Sequence, residues 1–170
     1  PSLRNLGFKE QDVITTDEAL EFHEVPQSLI IIGGGPSGLE FASIFRQMGT
    51  EVTVVEMLPQ ILPAEDVEIA TLLQQALEAD GIKILTATKL TQTKKKNGLI
   101  EAHLSTRGNN AIIEAEKILV AFGRTANMVG IGLEQARVNV EKHKILVNDK
   151  LETTSPAVYA VGDVIGGMYA

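Results

Sequence analysis

Apolar residues come in two unlike rhythms along the chain. Leu29-Ile30-Ile31-Ile32 and Val52-Thr53-Val54-Val55 are unbroken runs rich in β-branched residues, the pattern of parallel strands buried on both faces. Between them, Pro36 to Met48 has the length and composition of a helix, with Pro in its first turn and Gly49 as its stop. Asp66 to Ala79 predicts a second helix, with Val67, Ala70, Leu73 and Leu77 on one face. Gly81 ends it, and Ile82–Leu85 predicts a third strand. The rhythm then changes. Thr88–Lys94, Leu99–Thr106 and Ala111–Ile113 read as short antiparallel strands, with turns at Asn97-Gly98 and Gly108-Asn109-Asn110. Lys117–Ala121 returns to the buried, parallel type. Ahead of all this, Asp17 to Phe22 predicts a short helical turn capped by Thr16, and Pro26 separates it from the first long strand. Pro59 and Pro63 make the stretch after the second strand a loop.

The join between first strand and first helix reads Gly33-Gly34-Gly35-Pro36-Ser37-Gly38. This is G-x-G-x-x-G with a strand before it and a helix after it, the setting in which the pattern binds a dinucleotide. Gly33 permits the tight turn, Gly35 lets backbone approach a pyrophosphate, and Gly38 lets helix and strand pack closely. The helix start offers free N–H groups and the positive end of the helix dipole to phosphate. Glu56 closes the second strand about 20 residues after the first glycine, the spacing of an acid that accepts hydrogen bonds from a ribose. A nucleophile elbow would need glycine where Leu39 stands, which excludes a hydrolase of that type. The predicted fold class is therefore α/β, a Rossmann-like parallel sheet with helices and an antiparallel three-stranded β-meander crossover.

Composition narrows the picture. The chain has 170 residues, a net charge of −7 and no cysteine. The acidic balance argues against nucleic acid, whose binding rests on neutralising phosphate. Lys94-Lys95-Lys96 is then a solvated hairpin end. Without cysteine the chain has no disulfide, thiolate metal site or redox dithiol. His23, His103 and His143 lack ligand spacing, and no metal site is expected. The apolar runs are too short to cross a membrane. The chain opens at Pro1-Ser2 without an initiator Met, in keeping with a segment of a longer protein or with initiator removal alone.

Two further motifs lie in the last third: Leu119-Val120-Ala121-Phe122-Gly123-Arg124-Thr125-Ala126-Asn127, and Thr154-Ser155-Pro156-Ala157-Val158-Tyr159-Ala160-Val161-Gly162-Asp163. Each is an apolar strand running into a glycine turn. Together with the glycine fingerprint, and in this order, they closely resemble the flavin-dependent pyridine nucleotide–disulfide oxidoreductases. Dihydrolipoamide dehydrogenases are nearest, with mercuric and glutathione reductases behind. The resemblance runs from about Val13 to Gly167.

In that family a central NAD(P)-binding domain interrupts an FAD-binding domain. The resemblance implies an opening segment, 1–28, from the FAD-domain side, an NAD-binding domain, 29–150, and a tail, 151–170, similar to the return strand of the FAD domain. It implies that Gly33, Gly34, Gly35, Pro36, Ser37, Gly38, Glu40 and Glu56 contact the dinucleotide. Leu90 would line its adenine side and Gly123 would lie near the nicotinamide. Glu40 matches a glutamate beside the nicotinamide, in a supporting role; no catalytic residue lies in this chain. Asp163 matches the acid that holds the FAD ribityl chain. The implied cofactors are NAD here and FAD in the parent enzyme only. The implied partners are the parent's remaining FAD and dimerisation domains, in a cytoplasmic homodimer. Glu56 would repel a 2′-phosphate, and Met57-Leu58-Pro59-Gln60 offers no cation to offset that, so NAD(H) is expected over NADP(H). With neither flavin platform nor thiols, the chain alone is expected to be inactive. The alternatives are a parent of the mercuric or glutathione reductase type, a stand-alone dinucleotide-binding protein, and a complete small NAD dehydrogenase, for which the chain offers no evident substrate pocket or proton donor. The tail, an apolar strand without a sheet, is expected to be disordered after about Lys150 or buried against another copy.

Overall fold

The computed structural model describes residues 13–121, 123 and 126–166. The chain divides into two compact units, 1–123 and 124–170. The first is built on a five-stranded sheet of β1 (Val13–Thr15), β2 (Ser28–Ile32), β3 (Glu51–Val55), β4 (Lys83–Leu85) and β8 (Lys117–Val120). Their order is β1-β8-β2-β3-β4, and every neighbouring pair is parallel. Leu29, Ile30, Ile31, Val52, Val54, Val55, Ile118 and Leu119 are each at most 1% exposed. That two-sided burial is why these strands read as unbroken apolar runs.

Helix α2 (Pro36–Gln47) follows β2, and α3 (Val67–Ala79) follows β3. From α2, Leu39, Ala42 and Phe45 pack with Leu29, Ile31, Val52 and Val54 in one core layer. Asp66 caps α3 by accepting from the Glu68 N–H at 2.8 Å. Of the face expected on α3, Ala70 and Leu77 are buried and Leu73 packs beside them, but Val67 is 65% exposed. It stands at the first helical position, before the helix turns onto the sheet. The other core layer joins Val13, Ile30, Val55 and Ile118 to Leu90, Ile100, Ala102, Leu104 and Ala115 of a second sheet. That sheet is the expected meander: β5 (Thr88–Lys96), β6 (Leu99–Thr106) and β7 (Asn109–Ala115), antiparallel in this order. It stands where a helical crossover between β4 and β8 would otherwise lie.

Several local expectations are corrected. Val13–Thr15, read as part of a lead-in without a strand, forms β1 on β8. The cap of α1 (Thr16–Leu20) is Thr15, in a capping box with Glu18, rather than Thr16. The second hairpin turns at Arg107 (φ 50°) and Gly108 (φ 88°), so Asn109 and Asn110 already belong to β7. The first turns at Asn97 (φ 52°) and Gly98 (φ 85°), as the primed turn geometry of tight hairpins requires.

The second unit holds a small antiparallel pair, β9 (Val140–Glu141) with β10 (Lys144–Ile145), and a 3-10 turn, Gly162–Ile165. Val138, Ile145 and Ala160 are its buried centre, with Met128, Leu133, Val147, Val164 and Ile165 around them. The expectation of a disordered tail is thus overturned for Leu151 to Gly166. Those residues find partners within the unit. Val147 bridges to Thr153 and Glu152 to Tyr159, and the Ala160 N–H donates to the Leu151 carbonyl. Val158, Tyr159 and Val161 do not form a strand, and they are 38%, 62% and 64% exposed. Among the described residues, no helix is long and apolar enough to cross a membrane.

Candidate functional site

The glycine turn sits at the carboxyl end of β2, between β3 on one side and β8 on the other. The chain goes to β3 by way of α2 and returns to β8 only after the meander. This is the place where the strand order reverses, and in open parallel sheets ligands bind in the crevice there. The Ala121 N–H, leaving β8, donates to the Ile32 carbonyl at 2.8 Å, so the two strand ends are fastened together beside the turn.

Gly33 turns the chain with φ 113°, which favours glycine strongly. Its N–H donates to the Val55 carbonyl at 2.9 Å. Gly35 is the N-cap of α2, has no side chain to cap with, and would carry a Cβ into open space. Pro36 takes the first helical position, and the first helical bond runs from the Leu39 N–H to the Gly35 carbonyl at 3.1 Å. The N–H groups of Ser37 and Gly38 precede that bond, so they have no partner inside the helix. At Gly38 a Cβ would come to 2.0 Å from the Gly33 carbonyl oxygen and 3.5 Å from the Ala121 Cβ. Only glycine permits this contact between helix and turn. The result is an open helix mouth with unspent amides and an absent side chain at Gly35, which fits a diphosphate.

Glu56 follows β3 and is 8% exposed. Its carboxylate is already engaged: Oε2 accepts from the Gly34 N–H at 2.6 Å and Oε1 from the Leu58 N–H at 2.7 Å. The Gly34 amide is therefore spent on the protein itself. A carboxylate has about four acceptor sites, so these two bonds leave capacity for hydroxyl donors.

The other predicted residues are placed as follows. Glu40 is exposed on α2, one turn in from the mouth. Leu90 is 7% exposed and packs with Ile100, Ala102 and Leu104 in the core layer under the meander. Gly123 is exposed beyond β8 with φ 85°. Asp163 is exposed in the 3-10 turn of the second unit, and its carbonyl accepts from the Gly166 N–H. The structure thus brings together Gly33 to Gly38 and Glu56.

Sequence reasoning passed over the loop that backs the turn. Ile61 is fully buried, and its Cγ2 lies 3.1 Å from where a Cβ on Gly34 would stand. The Leu62 N–H donates to the Gly34 carbonyl at 2.8 Å. The signal was Ile61-Leu62 itself, an apolar pair between two prolines in a stretch read as plain loop.

The family model described as pyridine nucleotide-disulphide oxidoreductase matches residues 1–170. Dihydrolipoyl dehydrogenase from Bacillus subtilis is 42% identical over 169 residues, covering 98% of this chain and 35% of the relative. Dihydrolipoyl dehydrogenase from Thermus scotoductus is 45% identical over 166 residues, covering 95% of the chain and 36% of the relative. The chain thus spans about a third of the length of these relatives. Among solved structures, the HOCl-induced flavoprotein disulfide reductase RclA from Escherichia coli superposes with a TM-score of 0.81 at 29% identity, over 94% of this chain and 36% of that one. LpdA from Mycobacterium tuberculosis shares the fold, with a TM-score of 0.82 at 22% identity over 100% of this chain and 37% of that one. Fold, glycine turn and sequence likeness converge, and the chain belongs to the pyridine nucleotide-disulphide oxidoreductase family.

Proposed function

We propose that this chain is the NAD(H)-binding part of a flavin-dependent disulfide oxidoreductase of the dihydrolipoyl dehydrogenase type. The observation that carries the reading is the helix mouth at the switch point of the parallel sheet, with Glu56 at its side. Gly35 leaves it open, and the amides of Ser37 and Gly38 face it without helical partners. Those amides and the α2 dipole hold the diphosphate, and Glu56 accepts from the adenine ribose hydroxyls.

The bound nicotinamide supplies hydride exchange with a flavin, chemistry that belongs to the cofactors. The protein's part is to bind, orient and choose. Glu56 rejects a 2′-phosphate through like charge, and Met57 to Gln60 carries no cation to relieve it. Gly123, beyond β8, lies toward the nicotinamide end, with Glu40 in a supporting role. Leu90 acts from the core, shaping the wall on the adenine side. Asp163 holds a flavin only within the whole enzyme. With no cysteine, the chain does not turn over by itself.

In this reading residues 29–150 form the nucleotide domain, and 1–28 and 151–170 lead from and to an FAD domain in a homodimeric, cytoplasmic parent. The exposure of Val158, Tyr159 and Val161 supports a further protein surface over that stretch. Titration of the purified chain with NADH and with NADPH tests the proposal. NADH is expected to bind at least about tenfold more tightly, a difference of about 1.4 kcal/mol. Absence of NADH binding, or tighter NADPH binding, overturns it.

A further inference from the structure

The loop between β3 and α3 grips the Gly34 peptide from both sides. Its N–H is held by Glu56 and its carbonyl by the Leu62 N–H, at 2.6 and 2.8 Å. Fully buried Ile61 and the Glu56 Cβ fill the space next to the Gly34 Cα, each 3.1 Å from a Cβ built there. Gly34 is thus glycine for contact rather than for a left-handed backbone, and each of the two peptide units that meet at it is tied to the loop by one hydrogen bond.

The grip depends on an unfavourable backbone state. Leu62 has φ 45°, a left-handed conformation that leucine rarely adopts. A strained residue of this kind persists only where its surroundings over-determine it. Here those surroundings are specific. The Leu62 carbonyl accepts from the Glu65 N–H at 2.9 Å. The Gln60 side-chain amide donates both to the Leu62 carbonyl, at 3.4 Å, and to the Glu65 carbonyl, at 3.1 Å. The Leu58 carbonyl in turn accepts from the Ala87 N–H at 2.8 Å, fastening the loop to the turn before β5.

We infer that Gln60 is a positioning residue for the nucleotide site. It fixes Leu62 in its strained state, Leu62 fixes the Gly34 peptide, and the diphosphate mouth is thereby set before ligand arrives. Its bonds, as described, run to loop carbonyls and not to the glycine turn. Its effect on affinity is therefore one of preorganisation, which a ligand otherwise provides from its own binding energy. The inference rests on the NAD(H) reading above and adds a residue to it.

The test uses the whole chain with Gln60→Met, which keeps the length and removes the donor, and with Gln60→Ala. Three quantities are measured: the NADH dissociation constant, hydrogen exchange at the Gly34 and Leu62 amides without ligand, and the thermal midpoint. If only a tenth to a third of molecules keep the mouth in its binding form, the apparent dissociation constant rises about 3- to 10-fold. The expected result is that rise, together with faster exchange at Gly34, while the midpoint of the partly exposed loop variant stays within a few degrees. NADH binding as tight as in the unaltered chain overturns the inference, whatever the exchange shows. Weaker binding with unchanged exchange at Gly34 also overturns it, because Gln60 would then act directly on the ligand. Failure of the unaltered chain to bind NADH is a different result, and it removes the functional reading itself.

Discussion

Gly38 and Glu56 act at the scale of single residues. At Gly38 the obstacle is backbone, a carbonyl oxygen 2.0 Å from the added Cβ, and a backbone atom can yield only by moving helix against strand. Gly38→Ala is expected to lower stability by about 1–3 kcal/mol, read as a drop in the urea midpoint; an unchanged midpoint contradicts the packing role. Glu56→Ala leaves the Gly34 and Leu58 amides without their acceptor. The Gly34 donor is buried, and an unmet buried donor costs about 1–3 kcal/mol, so this variant is expected to lose stability as well as NADH affinity. Equal stability of variant and parent in urea would mean that the two short bonds contribute nothing in solution. Gly33, Gly35 and Gly38 were legible because their reasons are local, a turn and a helix start. The reason for Gly34 was not, because it lies in Ile61 and the Glu56 side chain, which only folding brings to it.

At the scale of elements, the antiparallel sheet carries an acid–base contact that the pattern of strands did not reveal. Lys96 on β5 donates to Glu101 on β6 at 2.9 Å, and Glu101 is nearly buried. That hydrogen bond pulls the Glu101 carboxyl below its ordinary value and lifts the Lys96 ammonium above its own. A depressed carboxyl stabilises fully above its ordinary value and loses the effect as pH falls through the depressed one. A raised ammonium does so below its ordinary value and loses the effect as pH rises through the raised one. The contribution is therefore complete between the ordinary values of 4.5 and 10.5 and declines outside them. Lys96→Met is expected to flatten the acid limb of stability against pH, measured by denaturant midpoints from neutral to acid. An acid limb as steep as the parent's would separate Glu101 from the acid response. The lysine run at this hairpin, read as a solvated end, is exposed at Lys94, Lys95 and Lys96 alike, and Lys96 in addition reaches Glu101. The meander itself was legible in its alternation, since Ile100, Ala102 and Leu104 face the core at every second position of β6.

At the scale of the whole molecule, the two compact units differ in what they bury. The first has two apolar layers about a parallel sheet. In the second, among the described residues, the buried centre is Val138, Ile145 and Ala160. So small a core rarely outweighs the conformational entropy of the chain it orders. A peptide of residues 124–170 is expected to be unfolded in isolation, with a circular dichroism spectrum lacking strand structure and no cooperative melt. A cooperative transition would show that local bridges suffice. This unit was also the least legible, because its strands are two residues long and carry no run that a periodicity can report.

The amino-acid sequence alone determined the strand–turn–helix start, the acid after the second strand, the change from parallel to antiparallel rhythm, and with them the family. Each of these is written in neighbouring residues, through a missing Cβ, a fixed proline φ or an alternation of period two. Tertiary structure alone decided that Val13–Thr15 would pair with β8, that Leu90 would belong to the core, and that Glu56 would meet Gly34. It also decided that a leucine with positive φ would hold the glycine turn from behind. Such contacts join segments far apart in the chain, and their energies exist only once the sheet has brought those segments within hydrogen-bond distance.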